Sequence, residues 1–388
     1  MNVDCRSTWG LRVKVDGRSP RSRGWVTGYL LKLIRESIPM TQEQVAVKLG
    51  VDRATVQSWE SGRRPFTAVP FGHAITIRQK LGMLGASSRM LAAVDDAAEA
   101  DFILSRVLDE QVERSELAEQ PLGWSVLTHQ LSDLIVWAVL GRAPSFVRDC
   151  SSPHPRRGPV ASGPILAADE RRIFFEHLHV LVERAAAGRH PHILLHRQAC
   201  FLAGTDPTKE SAIWLAQNNA RTAGRITRIQ TWSAMWPNAR SVVTSLANQG
   251  DPEPLRAFIA EAHPDDACHN AALNYSAYWV GEIPYRQRND FFMPTARADW
   301  RGSHLLRHLV ARLRPEHPFV DLNIHNVWVL LAARRGLAHD DPATGHALAA
   351  RSAVLLDSDS ISVQSRQELT SIVYSLRADG ITGTRTVT

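Results

Sequence analysis

Apolar residues recur at helical rather than alternating spacing along nearly the whole chain, and the period is clearest over residues 25–83. A first helix is expected over 25–38, with Leu30, Leu33, Ile34 and Ile38 inward and Pro39 ending it. Thr41 then reads as an N-cap, with Gln44 placed to complete a capping box. Val45, Ala46 and Leu49 mark the buried face of a helix over 42–49, and Gly50 supplies the left-handed turn residue after it. Asp52 is the next N-cap candidate, and Val56 and Trp59 mark the inner face of a helix over 53–60. Arg53, Ala54, Gln57 and Ser58 are left outward. A helix over 71–83, with Ile75, Ile77 and Leu81 inward, closes a small domain over 24–83. Two short helices joined this tightly pack across one another. The same geometry serves an ordinary αα-corner and a unit that lays its second helix in a DNA groove.

The pattern continues helical beyond this unit. Residues 86–118 carry a stripe of Leu91, Val94, Ala98, Phe102 and Val107, with Asp95, Asp96, Glu99 and Glu113 outside it. A helix over 124–139 follows, so 86–140 reads as connecting or dimerising helices; no clean heptad chooses between dimerisation and packing on the chain's own next domain. The Pro- and Gly-rich stretch 141–166 reads as a linker or a lid. Residues 167–380 read as a sensing or oligomerisation domain built of successive helices, at 168–187, 190–203, 208–222, 227–248, 252–262, 266–281, 302–313, 322–335, 343–355 and 363–377. Pro237 is expected to kink or split the fourth of them. A polar loop spans 284–299. No strand-like alternation interrupts the series.

The segment TQEQVAVKLGVDRATVQSWESGRR resembles the helix-turn-helix of the Cro/C1-type (XRE-like) regulators of phages and bacteria. Gln42 stands at the start of the second helix of that pattern, Ala46 in its core and Gly50 in the turn. Glu60 and Gly62 stand at the close of the third helix, and Arg35 where a partner for that Glu is common. Trp59 departs from the pattern, which often has a smaller aliphatic residue there. The resemblance covers about 45 residues. It implies an N-terminal helix-turn-helix domain and nothing about the remainder, whereas the helical pattern itself predicts an all-α chain whose larger second domain is built either of tetratricopeptide-like helix pairs or as a non-repetitive bundle. It also implies base contacts from Arg53, Ala54 and Ser58, with Gln57 as a further reader, phosphate contacts from Gln42, Arg63 and Arg64, and a supporting ion pair between Arg35 and Glu60.

Charge supports a phosphate-binding N-terminus. The chain has 45 Lys+Arg and 39 Asp+Glu. Residues 1–75 hold 12 of the former and 6 of the latter, so the whole excess of +6 lies there and the remainder carries 33 of each. Arg6, Arg12, Lys14, Arg18, Arg21 and Arg23 form a basic arm over 1–23, which reads either as a groove-binding arm or as a flexible leader. No stretch reaches the roughly 18 apolar residues of a membrane span and no signal peptide is evident, so a cytoplasmic location is expected. Cys5, Cys150, Cys200 and Cys268 are scattered and read as thiols.

Candidate chemistry is sparse. His192, His196 and Cys200 share a helical face, but their ends lie about 12 Å apart along the axis, too far for one metal ion. His304 and His308 lack the Glu and third ligand of a zinc helix, and Cys268 and His269, near Asp265 and Asp266, diverge by about 100°. No metal, no cofactor and no catalysis are therefore expected. Trp232 and Trp236, at helical spacing, and Tyr275 and Tyr278 form aromatic faces that suit either core packing or a groove for a small molecule or peptide. Arg221, Arg225 and Arg228 suit either a solvated face or an anionic ligand. The function this reading implies is a sequence-specific DNA-binding transcriptional regulator. It is expected to be a homodimer on an inverted-repeat operator of double-stranded DNA, with the helical domain sensing an effector. The alternatives are a helical-repeat interaction module localised by its DNA-binding domain, and an enzyme with a DNA-binding appendage.

Overall fold

The computed structural model describes residues 23–149, 163–187, 192–226, 231–261, 266–295, 299–378 and 380. The basic arm over 1–23, apart from Arg23, and residues 150–162 of the Pro- and Gly-rich stretch lie outside the described residues. Eighteen α-helices and no strand occur among them. In order these are α1 (Trp25–Ser37), α2 (Gln42–Leu49), α3 (Arg53–Glu60), α4 (Phe71–Met83), α5 (Ser88–Val107) and α6 (His129–Leu140). Then come α7 (Ser145–Asp149), α8 (Ala168–Ala187), α9 (Ile193–Ala203), α10 (Lys209–Ile226), α11 (Met235–Asn248) and α12 (Glu253–Glu261). The last six are α13 (Asp266–Trp279), α14 (Ser303–Ala311), α15 (Val320–Ala333), α16 (Leu337–Asp340), α17 (Pro342–Leu356) and α18 (Val363–Ala378). No described helix is long and apolar enough to cross a membrane.

Several boundaries differ from the sequence expectation for local reasons. The region after Val107 leaves the α-helix for turns and two short 3-10 segments, so α6 begins at His129, capped by the Thr128 hydroxyl on the Leu131 amide at 3.2 Å. Pro237 produces no kink, because α11 starts at Met235 and the proline falls in its first turn, where no N–H is needed. Trp232 consequently precedes α11 instead of sharing its face with Trp236. The apolar stripe of α5 is also rotated from the expected one. Met90, Ala93, Val94, Ala97, Ala100 and Leu104 are buried, whereas Phe102 is 40% exposed.

Two hydrophobic cores organise these helices, and they divide the chain elsewhere than at the Pro/Gly-rich stretch. One runs from Val26 to Ala203 and includes α1–α3 together with α5, α6, α8 and α9. The other runs from Trp236 to Leu376, with Val126 added from the preceding segment. Within them consecutive helices pack on one another, α8 on α9, α11 on α12, α14 on α15 and α17 on α18.

The N-terminal helices have no separate core, because α1 packs on both α5 and α6. Tyr29 meets Trp137 edge-on at 5.4 Å. The buried Asp101 of α5 accepts the Val26 and Thr27 amides at 2.8 and 3.0 Å, satisfying two N–H groups that open the first turn of α1. Burial pushes the Asp101 carboxyl up to about 7, while those amide bonds pull the other way. The folded state therefore holds a proton more tightly than the unfolded chain does. Stability from this group is full below the ordinary carboxylate range and is lost as pH rises through about 7. The melting temperature is expected to fall between about pH 5 and about pH 8 in the wild type. An Asp101→Asn variant, which mimics the neutral acid, should show a clearly flatter profile, and identical slopes for the two proteins would refute this assignment.

Candidate DNA-binding face

The local geometry of α2 and α3 follows from their caps. Thr41 accepts the Gln44 amide at 3.2 Å and the Gln44 side chain accepts the Thr41 amide at 2.8 Å, a complete capping box. Gly50 has φ 77° and donates to Ala46, so the turn takes a left-handed residue that has no Cβ to strain. Lys80 of α4 donates to the Leu49 carbonyl at 3.0 Å, closing the same helix end. Asp52 has N-cap backbone geometry without a side-chain cap bond.

α3 buries Val56 and Trp59, and the indole meets Phe66 edge-on at 5.7 Å. Its crossing with α1 depends on glycine, since a Cβ on Gly28 would lie 2.3 Å from the Trp59 carbonyl oxygen. Above that crossing, Arg35 grips Glu60 with two parallel bonds, Nε to Oε1 at 2.6 Å and Nη2 to Oε2 at 3.0 Å. Arg35 also donates to the Met40 carbonyl at 3.0 Å, and Gln42 donates to Glu60 Oε2 at 2.8 Å. One carboxylate thus ties α1, α2 and α3 together.

This arrangement turns one side of α3 outward. Arg53, Ala54 and Gln57 are exposed and Ser58 is half-buried. Arg63 and Arg64 are exposed just after the helix, with Arg63 Nε donating to Ser61 at 3.2 Å. Residues 31–68 match the helix-turn-helix family. The N-terminal unit is a Cro/C1-type helix-turn-helix. No curated protein and no solved structure matches the chain. The helix-turn-helix makes the chain a DNA-binding transcription regulator, and the family covers only this N-terminal part.

Two details of the helix-turn-helix were not visible from spacing. Gln42 is half-buried with its amide turned to Glu60, so a phosphate at this helix start would meet backbone amides and the remainder of that side chain. Arg53 lies 3.8 Å from Glu43, and with both side chains about two-thirds exposed the pair is weak. In α4 only Ile77 and Leu81 are buried; Ile75, expected inward, is 40% exposed, and Phe71 and Met83 are exposed as well.

The other candidate residues separate. His192 is exposed at the start of α9, while His196 is buried with Cys200 Sγ 3.9 Å from its Nε2. Burial pushes the Cys200 thiol up to about 12, which disfavours the thiolate a metal requires. No group of three or more His, Cys, Asp or Glu that would hold a metal occurs among the described residues. Cys268 is fully buried, His269 packs near His325 at 5.7 Å between ring centres, and Asp265 lies outside the described residues. His304 and His308 share α14, and the side chains of Arg221, Arg225 and Arg228 are not among the described ones.

The aromatic candidates do not form one groove. Trp236 and Tyr278 are sealed in the core, and the Tyr278 hydroxyl donates to the Val126 carbonyl at 2.6 Å. Trp232 is half-buried against Phe291. Tyr275 faces a cavity together with Trp279, one turn further on.

Glu60 is the clearest test of the local architecture. Glu60→Ala strands the Arg35 guanidinium in a partly enclosed site and is expected to cost about 3 kcal/mol. Amide hydrogen exchange across α1–α3 should accelerate while α17 and α18 stay protected; unchanged exchange in α1–α3 would contradict the role given to this carboxylate.

Proposed function

We propose that this regulator reads a specific double-stranded sequence as a two-fold dimer, and that its helical remainder senses a small molecule or peptide. The outward side of α3 carries the proposal. Arg53 presents a guanidinium suited to guanine or phosphate, Gln57 and Ser58 present hydrogen-bonding groups for base edges, and Ala54 presents a methyl for thymine. Arg63 and Arg64 follow where a phosphate strand passes, and Gln42 opens the helix pointed at it. A single unit of this size offers a small contact area, which favours paired half-sites about one helical turn apart. The reading places the protein in the cytoplasm and gives it no catalytic step. The interaction-module alternative keeps the same DNA face and differs only in what the helical part grips.

Selection from a random double-stranded pool with the full-length protein is expected to enrich one inverted repeat. Absence of any preferred sequence from the folded full-length protein would favour the interaction module. On the selected operator, Arg53→Ala should weaken binding by about 1–3 kcal/mol and relax preference at one position of each half-site. Arg64→Ala should weaken operator and random DNA about equally and reduce the salt dependence. A change in preferred sequence on losing Arg64, or none on losing Arg53, would reverse these assignments.

A further inference from the structure

A cavity of about 460 Å³ opens at the seam between the two cores, within the size range of small-molecule sites. His129, Cys200 and Phe201 enter it from helices of the first core, and α11, α13, α14 and α15 supply most of the remaining wall. No carboxylate is among its lining residues, whereas Arg240 and Arg312 both are.

Two other arginines of the fold meet an acid directly. Arg197 has Asp290 at 2.5 Å and Arg256 has Asp321 at 2.9 Å. Arg240 has no acid within ion-pair distance among the described residues. Its guanidinium instead lies 4.7 Å from the centre of the Tyr275 ring, and its buried Nε lacks a hydrogen-bond partner. Burial, together with the Arg197 cation nearby, disfavours its charge. Arg312 donates to His308 Nδ1 at 3.0 Å, and burial followed by that cation holds His308 down to about 3, so the imidazole is neutral and cannot compensate anything.

The polar groups of α15 point the same way. Asn323 and Asn326 are 6% and 1% exposed and line the cavity, yet Asn323 Nδ2 and Asn326 Oδ1 have no partner. Asp133 lies near enough to Arg312 to favour its charge, whereas ordered water would satisfy the two amides and still leave Arg240 without an anion. The apolar part of the wall is flat. Tyr275 and Trp279 lie at 21° with centres 6.3 Å apart, and Phe201 meets Trp279 edge-on at 5.6 Å.

We propose that this cavity binds a small aromatic anion, with its acidic group held by Arg240 and Arg312, its ring on Tyr275 and Trp279, and a polar edge on Asn323 and Asn326. Carboxylates, sulfonates and phosphates share that chemistry. The proposal rests on the helical remainder being the sensing part, and it adds the class of ligand and the place where it sits.

The test uses the full-length protein without DNA. A panel of aromatic carboxylates, sulfonates and phosphates, each paired with its neutral amide or ester, is screened by thermal unfolding, and the best anion is titrated calorimetrically. At least one anion is expected to raise the melting temperature by several degrees while its neutral counterpart does not. Arg240→Gln should weaken that anion about tenfold or more. Without ligand, Arg240→Gln should melt no lower than the wild type, because it removes an uncompensated cation; a lower value would make the arginine a structural group. Equal binding of neutral and anionic members, undiminished binding by Arg240→Gln, or no response to the whole panel would each overturn the proposal. Because DNA is absent, these outcomes are independent of whether an operator is found.

Discussion

The fold hinges on a carboxylate buried at the start of the first helix. Asp101 sits on the apolar stripe of α5, with Ala97 and Leu104 on either side, and accepts two amides from the first turn of α1. An acid in that position loses its hydration and regains only the bonds that α1 offers, so it is tolerable only while α1 stays docked. Tyr29 against Trp137 adds an aromatic contact to the same junction. The helix-turn-helix is therefore built on the larger helical mass and shares its core, and the orientation of α3 is tied to α5 and α6 through α1.

A second set of polar contacts crosses the seam between the cores. Arg286, in the loop after α13, reaches Asp96 at 2.5 Å and Glu99 at 2.9 Å on α5. The next residue, Gln287, accepts the Val126 amide at 2.7 Å, and Asp290 pairs with Arg197 of α9. A stretch that reads in the sequence as an ordinary polar loop is the strap that fastens the second core to the first.

The contrast between legible and illegible features follows the range of the physics. Helices α1–α4 were readable because caps, glycine and apolar period act within four residues, and the resemblance added Arg35 with Glu60. Pro237 misled because its effect depends on where the helix begins, two residues away. Asp101, Arg197, Arg240 and Asn326 were missed because their partners, or the lack of them, lie in distant parts of the chain. One signal was present for Asp101. Val94, Ala97, Asp101 and Leu104 fall at helical spacing, and a carboxylate on such a stripe demands a buried donor. The aromatic residues misled in another way, since spacing alone does not tell a core-facing Tyr278 from the cavity-facing Tyr275 one turn before it.

The seam also limits how anything bound within it acts on α3. A ligand shifts an arrangement only by contacting two arrangements differently. The walls of the cavity come from both cores, so its occupant touches elements on each side of the seam. The fastenings across the seam are unequal. Arg286 and its acids are between a quarter and a third exposed, where solvent weakens each pair to a small contribution. Arg197 and Asp290 are nearly sealed, and separating them leaves a charge stranded on each side. The partly exposed Arg286 contacts are therefore the weaker fastening of the seam, and the sealed Arg197–Asp290 pair is the stronger one.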